Sequence, residues 1–203
     1  MNSIEKNREC TINARTMMIL PIHYGNQIYS RIIQLDGEFL SPYKPTCIIK
    51  MNCLDNGSSF EGRVSSSRHI LGCYQKVPII INSENQMYYF PTASPEQADC
   101  IWINPIYIDK IKPLDKKIIS VLFKNKQIMK IPVSSHTFKK QMHKTMELRD
   151  KKTQKNRENE GNIFYFEQNN ARNSERISER ITSSTYGSFS EAVRKHEGMK
   201  PYK

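Results

Sequence analysis

The sequence predicts an α+β fold: a strand-rich domain of antiparallel hairpins, a basic amphipathic helix packed beside it, and a flexible C-terminal tail. Three observations predict it. Short apolar runs separated by close turn signals fill the first two thirds of the chain, the pattern of hairpins and not of βαβ units. Residues 137–155 contain neither Pro nor Gly and follow Ser134 and Ser135, which offer an N-cap. After Arg157 the composition turns polar.

Residues 1–16 read as a polar lead-in, frayed to about Ala14. Residues 17–24 and 27–34 flank Gly25-Asn26 as a hairpin, and Asp36-Gly37 marks a further turn. Residues 39–45 are aromatic and Pro-punctuated, and 46–51 form a short apolar strand candidate. In GSSFEGR, residues 57–63, two glycines bracket Ser-Ser-Phe, which implies a tight passage into a short helix over Phe60–Leu71. A Gly/Ser loop ending in Arg63 is a candidate phosphate cradle, but it lacks the GxxxxGK[ST] spacing of a P-loop, so a structural role competes.

Residues 77–82 and 86–91 make a second apolar hairpin around Ser83-Glu84-Asn85. A polar loop over 92–99 leads to a strand over 100–104 carrying the single tryptophan. Trp102, Tyr88 and Phe90 are either core or a base-stacking platform. Residues 106–111 lead into a third hairpin, 118–123 and 128–133, closed by Lys124-Asn125-Lys126-Gln127. Beyond it, 159–162 read as a linker. The apolar island Ile163, Phe164, Tyr165, Phe166 is either a linear docking motif or an added strand, and 171–181 is a possible short helix.

Charge is concentrated in one place. Residues 116–160 hold 13 Lys/Arg against 4 Asp/Glu, a net of +9, whereas residues 1–115 balance at 11 against 11. On the helix, Phe138, Met142 and Met146 share one side with Thr145 and Leu148 flanking, while Lys139, Lys140, His143, Lys144 and Lys151 cluster opposite. One face can dock on a core while the other meets a polyanion, against the plainer reading of a solvated face.

Other classes find little support. The five cysteines form no CxxC pair and the five histidines are scattered, so no metal and no cofactor is expected, and reduced cytosolic thiols are. No apolar run approaches the roughly 20 residues of a membrane span, and the N-terminus lacks a secretory h-region, so a cytoplasmic protein without a membrane partner is expected. Asp109 and Asp115 lie near basic residues, yet no spacing builds a nuclease or thiol enzyme, and no catalytic residue is expected.

At GSSFEGR, KVPIIINSENQMYYFPT and CIWINPIYIDKI the chain resembles the central signature of the competence transcription factor family, ComK. The likeness continues into VSSHTFKKQMHKTMELRDKK, through the spacing of Phe138, Gln141, Thr145, Leu148 and Arg149, and covers about residues 17–157. It divides the chain into a lead-in (1–16), a DNA-binding domain (17–157, including the basic hairpin and helix, 116–157) and a polar regulatory tail (158–203).

The resemblance implies an activator of DNA-uptake genes that binds paired AT-rich boxes, largely through the minor groove, as a homodimer or tetramer. Implied partners are double-stranded DNA of AT-rich promoters, RNA polymerase and a MecA-type adaptor serving a Clp protease. The adaptor motif corresponds in position to Ile163, Phe164, Tyr165 and Phe166. The implied location is cytoplasmic, at the nucleoid when bound to DNA.

A minor-groove reader of A·T tracts needs cations in a narrow, electronegative groove. Candidate DNA contacts are Arg63, Lys124, Lys126, Lys139, Lys140, Lys144, Arg149, Lys151 and Lys152, with phosphate contacts expected for most helix lysines and an intramolecular salt bridge competing at Arg63 and Arg149. The alternative is an RNA-binding or ribosome-associated protein using the same basic face, though no RNP-type or KH GXXG signature accompanies it.

Overall fold

The structure is a computed structural model that describes residues 10–159. Residues up to Thr153 belong to one compact unit, and the layers below are those of that unit; Gln154 onward belongs to a second. The chain runs β1 (Thr16–Tyr24), β2 (Gln27–Gln34), β3 (Gly37–Ser41), α1 (Pro45–Asp55), α2 (Phe60–Leu71), β4 (Ile79–Asn82), β5 (Met87–Pro91) and β6 (Trp102–Ile103). A 3-10 turn over Pro105–Tyr107 follows, then β7 (Ile108–Asp115), β8 (Ile118–Phe123) and β9 (Ile128–Ile131), and α3 runs from residue 135 through residue 159. This is the α+β fold that the sequence predicts.

A six-stranded antiparallel sheet in the order β3-β2-β1-β6-β5-β4 forms the middle layer. On one face Ile19, Ile32, Ile79, Tyr89 and Trp102 meet Ile48, Ile49 and Cys53 of α1 and Phe60 of α2. Phe60 stands edge-on to Trp102 with ring centroids 6.0 Å apart, and the indole Nε1 donates to Thr46 Oγ1 at 3.1 Å. On the other face Met18, Ile33, Phe90 and Ile103 meet Ile119, Val121, Phe123 and Ile131 of the smaller sheet, β7-β8-β9, and Phe138 of α3.

Because the middle sheet is covered twice, β5 is buried at all five positions and Ile79, Ile80 and Ile81 are buried in succession, a continuous apolar run instead of alternation. Trp102, Tyr88 and Phe90 all lie inside with at most 1% exposure, so they are core and not a stacking platform.

The hairpins form where the turns predict them. Helix α2 occupies the expected residues because Ser59 Oγ accepts from Gly62 N at 3.0 Å and Gly72 takes the left-handed conformation at its end, φ 63°. A Cβ at Gly62 would lie 3.0 Å from Ser58 Oγ and 3.2 Å from Ser59 Oγ, a tight fit beside the capping serine.

Three expectations are corrected. Residues 46–51 are not a strand but part of α1: Pro45 occupies the first helical turn and the buried positions Ile48, Ile49, Asn52 and Cys53 recur at helical spacing. The lead-in is tied down before Ala14, because Cys10 and Ile12 are buried and Asn52 grips both, Nδ2 donating to Cys10 O at 2.7 Å and Oδ1 accepting from Ile12 N at 3.1 Å. Residues 108–115 form a full strand, β7, that completes the small sheet. The tail features at 160–162, 163–166 and 171–181 lie outside the described residues.

Candidate nucleic-acid interface

Helix α3 starts where Ser134 Oγ accepts from Thr137 N at 3.2 Å. Its fully buried line is Phe138, Gln141, Thr145 and Leu148; Met142 and Met146 are only half-buried. The docked face is therefore rotated from the Phe138-Met142-Met146 stripe that apolarity alone suggests. Thr145 satisfies its hydroxyl on the backbone Gln141 O at 2.8 Å, whereas Gln141 Oε1 is buried with no partner among the described residues. Phe138 meets Phe90 edge-on at 5.3 Å, and Leu148 packs with Ile80, Tyr88, Ile70 and Leu71, so α3 is pinned to β5, β4 and the end of α2.

This rotation sorts the helix cations. Lys139 and Lys140 are exposed, and neither forms an ion pair among the described residues. Lys144 and Lys151, expected on the open face, are tethered at their tips: Lys144, half-buried, donates from Nζ to Gln75 O in the loop after α2, and Lys151, exposed, donates from Nζ to Ile70 O of α2, each at 3.3 Å. The second contact places an ammonium on a carbonyl of the last turn of α2, the negative end of its dipole. Lys151 also pairs with Glu147 at 2.7 Å, four residues back. Arg149 chelates Asp150 Oδ1 at 2.8 and 3.0 Å and lies beside the buried Tyr88 phenol, whose pKa is raised by burial and partly offset by that guanidinium. Lys152 is half-buried and without an ion pair among the described residues.

The turn lysines occupy a second location. Lys126 adopts φ 71° and pairs with Asp109 at 3.7 Å, and its backbone N–H donates to Phe123 O at 2.9 Å to close the turn, while the backbone N–H of Lys124 donates to Tyr107 O at 2.9 Å. They sit at the opposite end of β9 from the start of α3, so the fold separates them from Lys139 and Lys140 by the length of that strand.

Arg63 is in a third place and inward. Its Nη2 donates to Asn56 O at 2.5 Å, and its Nε is buried with no partner among the described residues. Arg63 thus makes a hydrogen bond within the chain where a salt bridge was the expected competitor, and Ser59 of the GSSFEGR loop caps α2. Sequence reasoning passed over Lys110, Lys112 and Lys130, three exposed lysines of the small sheet. Their signal was present in β7, where K-I-K alternates lysine with an aliphatic residue at strand period, and in β9, where Lys130 stands between Met129 and Ile131.

An open groove of about 560 Å³ lies elsewhere, along α1 and α2. Its cations Lys50, Arg68 and Lys76 face the acids Glu61 and Glu96; Lys50 pairs with Glu61 at 3.6 Å and Lys76 Nζ donates to Thr92 O. Among the described residues no group of three or more His, Cys, Asp or Glu is placed to hold a metal ion, and no helix is long and apolar enough to cross a membrane. Asp109 and Asp115 are both exposed, one paired with Lys126 and the other accepting from Lys116 N.

Residues 7–157, which take in nearly all of this layered structure, match the family model described as ComK protein, and the chain belongs to the ComK family. It is similar to the Competence transcription factor of Bacillus subtilis (strain 168), with 31% identity over 140 residues, covering 69% of this chain and 73% of that protein. No solved structure matches.

Proposed function

We propose that the chain is a cytoplasmic, DNA-binding transcription regulator that activates DNA-uptake genes by recognising paired AT-rich boxes, mainly through the minor groove and phosphate contacts. Family membership supports the regulator, together with a relative described as a competence transcription factor. The observation that carries the DNA contact is the charge of residues 116–160, a net of +9 out of the chain's +11, among which Lys124, Lys139 and Lys140 are exposed and have no ion pair among the described residues.

Helix α3 positions the protein on DNA through phosphate contacts, because its cations lie along a helix flank instead of converging on one base step. Burial of Trp102, Tyr88 and Phe90 removes the aromatic platform on which a single-stranded RNA reader would depend. Association as dimers or tetramers, contact with RNA polymerase and recognition by a MecA-type adaptor through residues 163–166 complete the proposal; the adaptor segment lies outside the described residues.

Footprinting on an AT-rich competence-type promoter across a salt series tests this reading. Protection of two boxes, with log K falling by about 0.9 per phosphate contact against log salt, is the expected result. Equal binding to GC-rich duplex would remove the minor-groove component, and displacement by RNA at equal phosphate concentration would overturn the DNA assignment.

A further inference from the structure

The small sheet has an outer face that the candidate contacts above leave unused. Its inner side is settled by register: Ile119, Val121 and Phe123 of β8 point into the core with Ile131 of β9 and Ile111 of β7. The alternate positions therefore point outward in two cross-strand rows. One row is Lys112-Ser120-Lys130 and the other is Lys110-Leu122-Ile128. Three of these six positions are lysines, all exposed and none in an ion pair among the described residues. By contrast Lys126, Lys144, Lys151, Arg149 and Arg63 are each engaged within the chain.

We propose that this face lies on the sugar–phosphate backbone of the DNA that α3 contacts. The inference rests on the DNA-binding reading and assigns part of that interface to a sheet. The occupant follows from charge. The face carries three lysines; of the two carboxylates of β7, Asp109 beside Lys110 is paired with Lys126 and Asp115 lies at the strand end opposite Ile118. A second copy of the same face would repel it; a polyanion would not.

Spacing agrees. Lys110 and Lys112, two residues apart on one strand, have Cα atoms about 7 Å apart, and Lys112 and Lys130, two strands apart, about 10 Å. Flexible lysine stems span these intervals to successive phosphates. Placement agrees too, since Phe138 of α3 and the inner side of the small sheet pack into the same core cluster on one face of the middle sheet. Ile128, 67% exposed beside the lysines, supplies apolar contact for deoxyribose edges.

The test uses the full chain and an AT-rich duplex. Binding is measured across a salt series for wild type, for K110Q/K112Q/K130Q and, as reference, for K139Q/K140Q. The triple variant is expected to bind roughly tenfold or more weakly at low salt, with the salt slope reduced by about 0.9 for each lysine that meets a phosphate. A triple variant with wild-type affinity and slope, while K139Q/K140Q is weakened, overturns this inference and leaves the DNA-binding reading standing. Wild type that binds no duplex overturns both. A variant with unchanged slope but altered sedimentation places a second copy on the face and also overturns the inference. Should the triple variant fold poorly, K112Q/K130Q, which empties one row, gives the same comparison.

Discussion

The two sheets of this protein differ in what they hide. The middle sheet is covered on both faces, and β5 reads as Met-Tyr-Tyr-Phe-Pro with every position buried. The small sheet is covered on one face only, and β8 alternates, Ile119, Val121 and Phe123 inside against Ile118, Ser120 and Leu122 outside. Residues 1–115, which hold the middle sheet and β7, are charge-balanced, while residues 116–160 carry a net of +9. The difference teaches that stability and recognition are assigned to different layers. A substitution in the middle layer should act through folding, and one on the outer layer through salt-dependent binding.

The largest expected effect lies in the middle layer. Trp102→Ala removes the side chain between Phe60 and the sheet and the hydrogen bond to Thr46, at a cost of about 3–5 kcal/mol in urea unfolding. At an overall stability of roughly 5–15 kcal/mol, that leaves little folded protein at the lower end. If Trp102→Ala stayed folded with intact stability but lost DNA binding, the division between the layers would be broken.

Next is Asn52→Ala. It removes the side-chain bonds to Ile12 N, to Cys10 O and, at 2.8 Å, to Ile48 O. Each buried group left unsatisfied costs about 1–3 kcal/mol, so thermal unfolding should come several degrees lower. The earliest hydrogen-exchange deprotection should appear at residues 10–12, which that side chain holds.

The helix-covered face also carries the alkaline sensitivity. Cys53 and Cys100 are buried there, and burial pushes both thiols up to about 11. A folded-state value above the ordinary 9 means that the neutral thiol is favoured by folding. The contribution is therefore intact below pH 9 and is lost as pH rises from 9 to 11. Unfolding midpoints should be level up to about pH 9 and decline above it, and Cys53→Ala should flatten part of the decline. Cys47, exposed on α1, should react with a thiol reagent at neutral pH while Cys53 and Cys100 stay protected until unfolding.

How much of this was legible follows from the same contrast. Hairpin turns announce themselves through Gly25 and Asp36-Gly37, and α2 through Ser59 and the polar residues that follow, because turn and cap chemistry is local. Helix α1 was hidden: Thr46, Ile48 and Ile49 are β-branched and favour a strand locally, and what decides for helix is packing against the sheet plus a buried Asn52 that no apolar count includes. Strand β7 was hidden by Lys110, Lys112 and Pro113, which suit an exposed edge strand but resemble a loop. On α3 the basic side was legible, but its rotation was not, since Gln141 and Thr145 count as polar until their place against the core is known. The spacing shared with the family, Phe138, Gln141, Thr145 and Leu148, is the buried line, so that part of the likeness reports docking more than DNA contact.

On the outer layer the effects turn to binding. Lys139→Gln with Lys140→Gln should leave stability within about 0.5 kcal/mol, because both side chains are exposed and unpaired among the described residues. Affinity for an AT-rich duplex should drop with a slope reduced by up to about 0.9 per lysine. Adding Lys144→Gln should behave differently, costing some stability through the lost bond to Gln75 O and little further slope. A large additional loss of slope from Lys144 alone would show that its ammonium leaves Gln75 for a phosphate in the complex.

The smallest expected effect is from removing residues 161–203. That segment has 7 Lys/Arg against 5 Asp/Glu, a net of only +2, so it contributes little to the attraction for a polyanion. The match to the family model ends at residue 157, before it begins. The truncated chain should therefore bind the AT-rich duplex within about twofold of the full chain, with the same salt slope, since the slope counts phosphate contacts and none is assigned to the tail. The tail and the outer layer then separate cleanly by experiment: neutralising lysines changes the slope, and truncation does not. A truncation that kept the slope but abolished transcription in a promoter assay would place activation in the tail and DNA contact in the layered domain. One that lowered the slope by several units would place phosphate contacts beyond residue 160, and the contrast between the two layers would then have to include a third.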